Sequence, residues 1–258
     1  MKLTRLLFWC ITLFFFQANA NAQVSQASFD TIYRLMREKN FFKARDIYEV
    51  RKTQLSSPQR NFMEALLDNA FNRLEESNKK ISRLTAGKQA LPDSLLIELY
   101  KVKIDNSVKL YEYAIAKTSS GDLLKKYRHL IKKEEADDIK NSLKIWTALE
   151  HEGRQQVVKK DDTRLQMTKD KAGLNNLRLL ADTASLDFIF DTGANISTIT
   201  ISAAKKFRMK IIPVDIEVGA ITGAKVQAQL AVCDKLTLGN IDIHHAVFLY
   251  RAGCDQAV

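Results

Sequence analysis

From Ser28 to about Leu149 the apolar residues recur at spacings of three and four with almost no glycine, and from Leu174 onward short apolar runs alternate with turns. The first period is one face of a helix; the second is a strand that buries one side. The chain therefore reads as two segments: amphipathic helices over 23–150 and a β-rich part over 151–258. Between them, "GRQQVVKKDDTRLQMTKDKAG" is charged and punctuated by Gly153 and Gly173. The pattern predicts strands over Leu177–Ala181, Leu186–Phe190, Ser197–Thr200, Lys210–Pro213, Asp215–Ala220, Lys225–Val232, Lys235–Leu238 and Ile241–Tyr250, with one helical turn at "SAAKKF". The fold class is α+β multidomain, an all-α helical-hairpin region followed by an all-β domain.

Within the helical half, one helix ends near Lys39-Asn40 and the next carries Phe41, Ala44 and Tyr48 on one face. A small residue flanked by aromatics lets two helices approach, so this reads as a helical hairpin. Ser57-Pro58 and Leu91-Pro92-Asp93-Ser94 mark further helix starts, each with a capping residue beside proline. The second helix of this hairpin resembles tetratricopeptide-type repeats, while "SFDTIYRLM" before it departs from their usual pattern. Self-similarity at a fixed period is weak, which leaves a repeat array and an irregular bundle both open.

Residues 1–22 have Lys2 and Arg5 before an apolar run from Leu6 to Phe16, then small residues around Ala18-Asn19-Ala20 and Ala22. That is the order of a secretory signal peptide, and the run is too short for a spanning helix. The expected location is periplasmic or extracellular. Cys233 and Cys254 would survive processing, and an exported compartment permits them to pair or to stay as two thiols. The net charge of +10 is scattered among acidic residues rather than massed, which favours a solvated surface over nucleic-acid binding. His129, His151, His244 and His245 lie in no metal-binding spacing, and the chain has neither a phosphate loop nor a serine-hydrolase elbow. No metal and no cofactor is expected.

The stretch that carries chemistry is "SLDFIFDTGANISTIT", an apolar strand ending on Asp191-Thr192-Gly193-Ala194. A carboxylate at the end of such a strand is costly unless it is hydrogen-bonded or shares a proton with a second one. Gly193 permits close approach and a turn that other residues resist, and Thr192 offers a donor and an acceptor to lock it. Two carboxylates sharing one proton can act as base and acid around one water.

Asp191-Thr192-Gly193-Ala194 with Asn195-Ile196-Ser197 after it resembles the active-site motif of retropepsin-like aspartic peptidases, over about 80 residues. The resemblance implies an all-β barrel in which Asp191 is the catalytic carboxylate. Thr192 would bond across a dimer, Gly193 and Ala194 would line the cleft, and Ser197 would belong to the same loop. It also implies a flap from "VGAITGAKVQAQLAV", with Gly219, Ile221, Thr222 and Gly223 at its tip. Each chain of such a peptidase supplies one Asp-Thr-Gly, so the expected enzyme is a homodimer acting on peptide or protein, with a further protein partner for the helices. The family continues with an apolar-apolar-glycine helix start and a terminal strand; Arg251 to Val258 hold neither, so the barrel is expected to be incomplete at its C-terminus. Activity would depend on that part. The alternative is a non-catalytic periplasmic interaction or scaffold protein with a degenerate peptidase domain.

Overall fold

The computed structural model describes residues 23–87, 91–194, 196–219 and 225–251. The signal-peptide reading of 1–22, the flap-tip residues Ile221, Thr222 and Gly223, Asn195 and Cys254 lie outside them. The chain divides into two compact units, one running to Lys109 and one beginning at Leu110.

The first unit is helical: α1 (23–37), α2 (Phe41–Arg51), α3 (Ser57–Ala70), α4 (Leu74–Ala86) and α5 (Asp93–Lys109). Each buries the stripe its spacing foretells, Phe29, Ile32, Leu35 and Met36 from α1 and Ala44 and Tyr48 from α2 meeting Phe62, Met63 and Leu66 of α3. Ser56 caps α3 by accepting from the Gln59 backbone while the Gln59 side chain returns to the Ser56 backbone, and Pro58 sits in the first turn. With few glycines available, the helices end on Lys39 (φ 58°) and Asn72 (φ 59°) in the left-handed region. In both turns the following amide reaches back to the helix, Asn40 N to Leu35 O at 2.9 Å and Arg73 N to Asp68 O at 2.7 Å, which satisfies carbonyls that would otherwise be orphaned. Asp68, 4% exposed, meets Arg73 Nε at 2.7 Å and Lys80 Nζ at 2.5 Å, and fully buried Asn106 donates to Ser77 and Asn78. These polar contacts hold α3, α4 and α5 in one register. Among the described residues no helix is long and apolar enough to cross a membrane.

The second unit begins with two helices, α6 (Tyr113–Tyr127) and α7 (Lys133–Leu149). They pack through stacked Tyr113 and Trp146 rings, 6.2 Å apart and 7° from parallel, and through Lys117 and Glu150 at 2.7 Å. An eight-stranded sheet follows: β1 (Gln156–Lys159), β2 (Thr168–Lys169), β3 (Asn175–Ala181), β4 (Ala184–Ile189), β5 (Ser197–Thr200), β6 (Lys210–Gly219), β7 (Lys225–Leu238) and β8 (Ile241–Arg251), with α8 (Ile201–Lys206) after β5. The order is β1-β8-β7-β3-β2, with β4 on β3, β5 on β8 and β6 on β7. All pairings are antiparallel except β5 with β8, which is parallel from Ser197 opposite Phe248 to Thr200 opposite Arg251. The core beneath the sheet gathers Ala181, Ile199, Phe207, Ala231, Leu236 and Phe248.

Several strand expectations merge or extend. The two segments around Pro213 are one strand, β6, with a register shift between Ile212 and Ile216 that lets the proline sit where no ladder bond is needed. The two segments around Cys233 are likewise one strand, β7, whose thiol is buried and donates to Lys235 O at 3.4 Å. β1 and β2 arise inside the charged stretch that reads as a connector. Their residues are exposed, so no apolar alternation marks them. The helices end at Leu149 and the first strand begins at Gln156, whereas the compact units part after Lys109 because α6 and α7 pack with the second unit.

Asp242 ties three strands together. It is 4% exposed, and its carboxylate meets Lys160 Nζ at 2.6 Å just beyond β1, Lys235 Nζ at 3.1 Å on β7 and the Thr237 hydroxyl at 2.9 Å. The hydrogen bond from Lys160, aided by those from Lys235 and Thr237, holds the carboxyl far below its ordinary value of 3.8. A group whose pKa is depressed on folding stabilises fully above its unfolded value and stops doing so as pH falls through the folded one. Thermal melts should therefore show stability declining as pH drops below about 4. Asp242→Asn should melt lower at neutral pH and decline less on acidification; a variant with the wild-type pH profile would remove Asp242 as the cause.

Candidate active site

β4 explains how a strand can end in a carboxylate. Its residues alternate strictly against β3, with Leu186 and Phe188 opposite Leu179 and Leu177 on the core side, and Asp187 opposite Arg178 on the outer side. The outward pair is bidentate, Arg178 Nε and Nη2 each donating to Asp187 at 2.9 Å, and Arg178 lowers the Asp187 pKa chiefly by hydrogen bonding. Phe188 is held between Phe207, at a ring-centroid distance of 5.8 Å, and Phe248, at 6.1 Å. After Ile189 one more backbone bond, Phe190 N to Asn175 O at 2.8 Å, extends the pairing, and the chain then turns.

Asp191, Thr192, Gly193 and Ala194 are all exposed. The Gly193 amide donates to Asp191 Oδ1 at 2.8 Å, so the carboxylate closes its own turn and one oxygen stays oriented. The Asp191 carboxylate is itself a group that locks the turn. Gly193 has no left-handed backbone; its value is space, since a Cβ there would lie 3.3 Å from Asp191 Oδ1. Ser197 opens β5 and is exposed, opposite Phe248 in the parallel ladder. Gly219 is the last paired residue of β6, opposite Lys225.

The loop is thus gripped from both sides. β4 enters it over Phe188, β5 leaves it on β8, and Phe248 touches both arrangements. Phe207 and Phe248 support the site without belonging to its motif, and their scattered positions leave no local signal of that role. Ile189 and Phe190, 47% and 49% exposed, are apolar residues that immediately precede Asp191 in the chain.

Residues 177–257 are similar to a protein family described as aspartyl protease. No curated protein and no solved structure matches the chain.

Proposed function

We propose that the β-domain is an aspartic endopeptidase whose site is completed by a second copy of the chain, in a protein exported by its first 22 residues. The observation that carries this reading is the exposed Asp191 carboxylate, oriented by the Gly193 amide at the end of an apolar strand, within the segment similar to aspartyl proteases. The chain has one Asp-Thr-Gly. A dyad therefore requires Asp191 from each of two copies, with Thr192 bonding across the pair.

Two carboxylates at close range hold one proton between them. The ionised one takes a proton from a water, whose oxygen forms a bond to the peptide carbonyl carbon. The protonated one gives its proton to the carbonyl oxygen, which yields a neutral tetrahedral diol. The first carboxyl then returns its proton to the amide nitrogen, the carbon–nitrogen bond breaks, and one diol hydroxyl gives its proton to the other carboxylate as the carbonyl re-forms. In this reading the β6–β7 hairpin lies over the bound peptide, with Gly219, Ile221, Thr222 and Gly223 toward its tip. Exposed Ile189 and Phe190 suit the meeting of two copies or an apolar peptide side chain.

Cleavage of an unfolded peptide should rise with the square of chain concentration where the chain is mostly monomeric, and follow the dimer fraction measured by analytical ultracentrifugation. Cleavage by a chain that stays monomeric at every active concentration would sink the shared site.

A second reading, a non-catalytic interaction protein, draws on the helical unit. Phe42 is 67% exposed, and the Arg45 guanidinium lies 5.3 Å from its ring and 5.1 Å from that of Phe71, a surface suited to a protein partner.

A further inference from the structure

Helix α7 treats the edge of β6 as a neighbouring strand would. In an antiparallel pair, one residue exchanges both backbone hydrogen bonds with the residue opposite. Asn141 reproduces both with its side chain: Nδ2 donates to the Glu217 carbonyl at 2.7 Å, and Oδ1 accepts from the Glu217 amide at 3.0 Å. Two residues earlier on the same edge, the Asp215 carbonyl accepts from Lys144 Nζ at 2.8 Å. Just past the end of α7, Glu152 meets Lys210 Nζ at 2.7 Å, where β6 begins. As the helix advances from Asn141 through Lys144 to Glu152, the strand is met at Glu217, Asp215 and Lys210. The two elements therefore run antiparallel and touch along most of the strand.

The arrangement is specific to β6. Its other edge is laddered to β7, and among the described residues no strand pairs with the edge that α7 covers. The strand needs such support, because the irregularity at Ile212 to Ile216 interrupts the β7 ladder around Pro213 and opens a surface cavity of about 420 Å³ lined by Pro213, Val214, Asp215, Gln227, Ala228 and Gln229. Lys144 takes hold of the chain within that interruption. Asn141 takes hold just after pairing resumes at Ile216.

We infer that α7 is a surrogate edge strand and that Asn141 is a positioning residue, fixing the β6–β7 hairpin against which the peptide lies. The role toward peptide rests on the peptidase reading above; the clamp itself does not. It makes α6 and α7 working parts of the sheet unit, and it denies the β6 edge to a foreign strand.

The full chain serves as the test, with Asn141→Ala, Lys144→Ala and both together. In wild type the Glu217 amide should be protected from hydrogen exchange, and Asn141→Ala should lower its protection about tenfold, as the loss of two hydrogen bonds implies. The amides of β8 serve as the folding control and should not change. Toward a cleavable peptide, Asn141→Ala should raise KM about tenfold with kcat within a factor of two, because the dyad is untouched and the hairpin is not. Asn141→Asp should restore part of the Glu217 protection, since a carboxylate oxygen still accepts from that amide. Unchanged Glu217 exchange in Asn141→Ala overturns the clamp. Faster exchange with unchanged KM overturns the positioning role. A wild-type chain that cleaves no peptide in any dimeric state overturns the peptidase reading and the role toward peptide with it, while the exchange result still decides the clamp.

Discussion

On the peptidase reading, Asp191→Asn should lower peptide hydrolysis by at least about a hundredfold and up to about 10⁴-fold, while the melting temperature should stay within about a degree of wild type. The separation of the two effects follows from the local geometry. The side chain is exposed, and its structural duty is to accept the Gly193 amide at Oδ1. Asparagine keeps an oxygen in that position, so the turn persists. What it loses is the ability to hold and release a proton, which is what the proposed dyad would contribute to hydrolysis. Mixing wild-type chains with Asp191→Asn chains should lower activity further than dilution does, because each mixed dimer of the proposed enzyme would carry one carboxylate. Equal cleavage by wild type and variant would remove the catalytic role of Asp191 altogether.

Phe248→Ala is the substitution expected to cost most in stability. Phe248 is 3% exposed, lies 6.1 Å from Phe188 between ring centroids, and sits on β8 between Ala231 of β7 and Ser197 of β5. Truncation should lower the unfolding free energy of this unit by about 3–5 kcal/mol and its melting temperature by roughly 10 °C. The cavity opens under β4 just before Asp191 and beside β5 just after Ser197, so activity should fall at temperatures where the chain is still folded. Denaturant titration followed by peptide cleavage measures both. A loss below about 1 kcal/mol would show that the aromatic cluster is not the support of the loop.

Much of the secondary structure was legible because burial imposes a period. Phe62, Ala65 and Leu66, or Leu186 and Phe188, announce a helix face and a strand face by spacing alone. The helix end near Lys39-Asn40 was legible, but how it is made was not: Lys39, like Asn72 after α3, adopts a left-handed backbone usually given to glycine, and the back-bonded amides of Asn40 and Arg73 that stabilise those turns are not a property of residue type. β1 and β2 escaped for the opposite reason. Exposed on their sheet, they hold their place by backbone pairing with β8 and β3, which leaves no mark on side-chain character.

The sequence by itself determined the chemistry on offer: one Asp-Thr-Gly at the end of one apolar strand, with residue types that admit a turn and a carboxylate. Only the tertiary structure decided what supports the strand that delivers that carboxylate, the Phe188–Phe207–Phe248 cluster, while the Gly193 amide that orients it is a bond within the turn. It also brought Asn141, 76 residues before Glu217, to both backbone groups of that residue, on an edge of β6 that no strand pairs with among the described residues. The physical reason is range. Periodicity and turn chemistry, the Asp191–Gly193 bond included, are set by neighbours in sequence, whereas the aromatic cluster on β4 and β8 and the Asn141–Glu217 bonds join groups that only folding brings together.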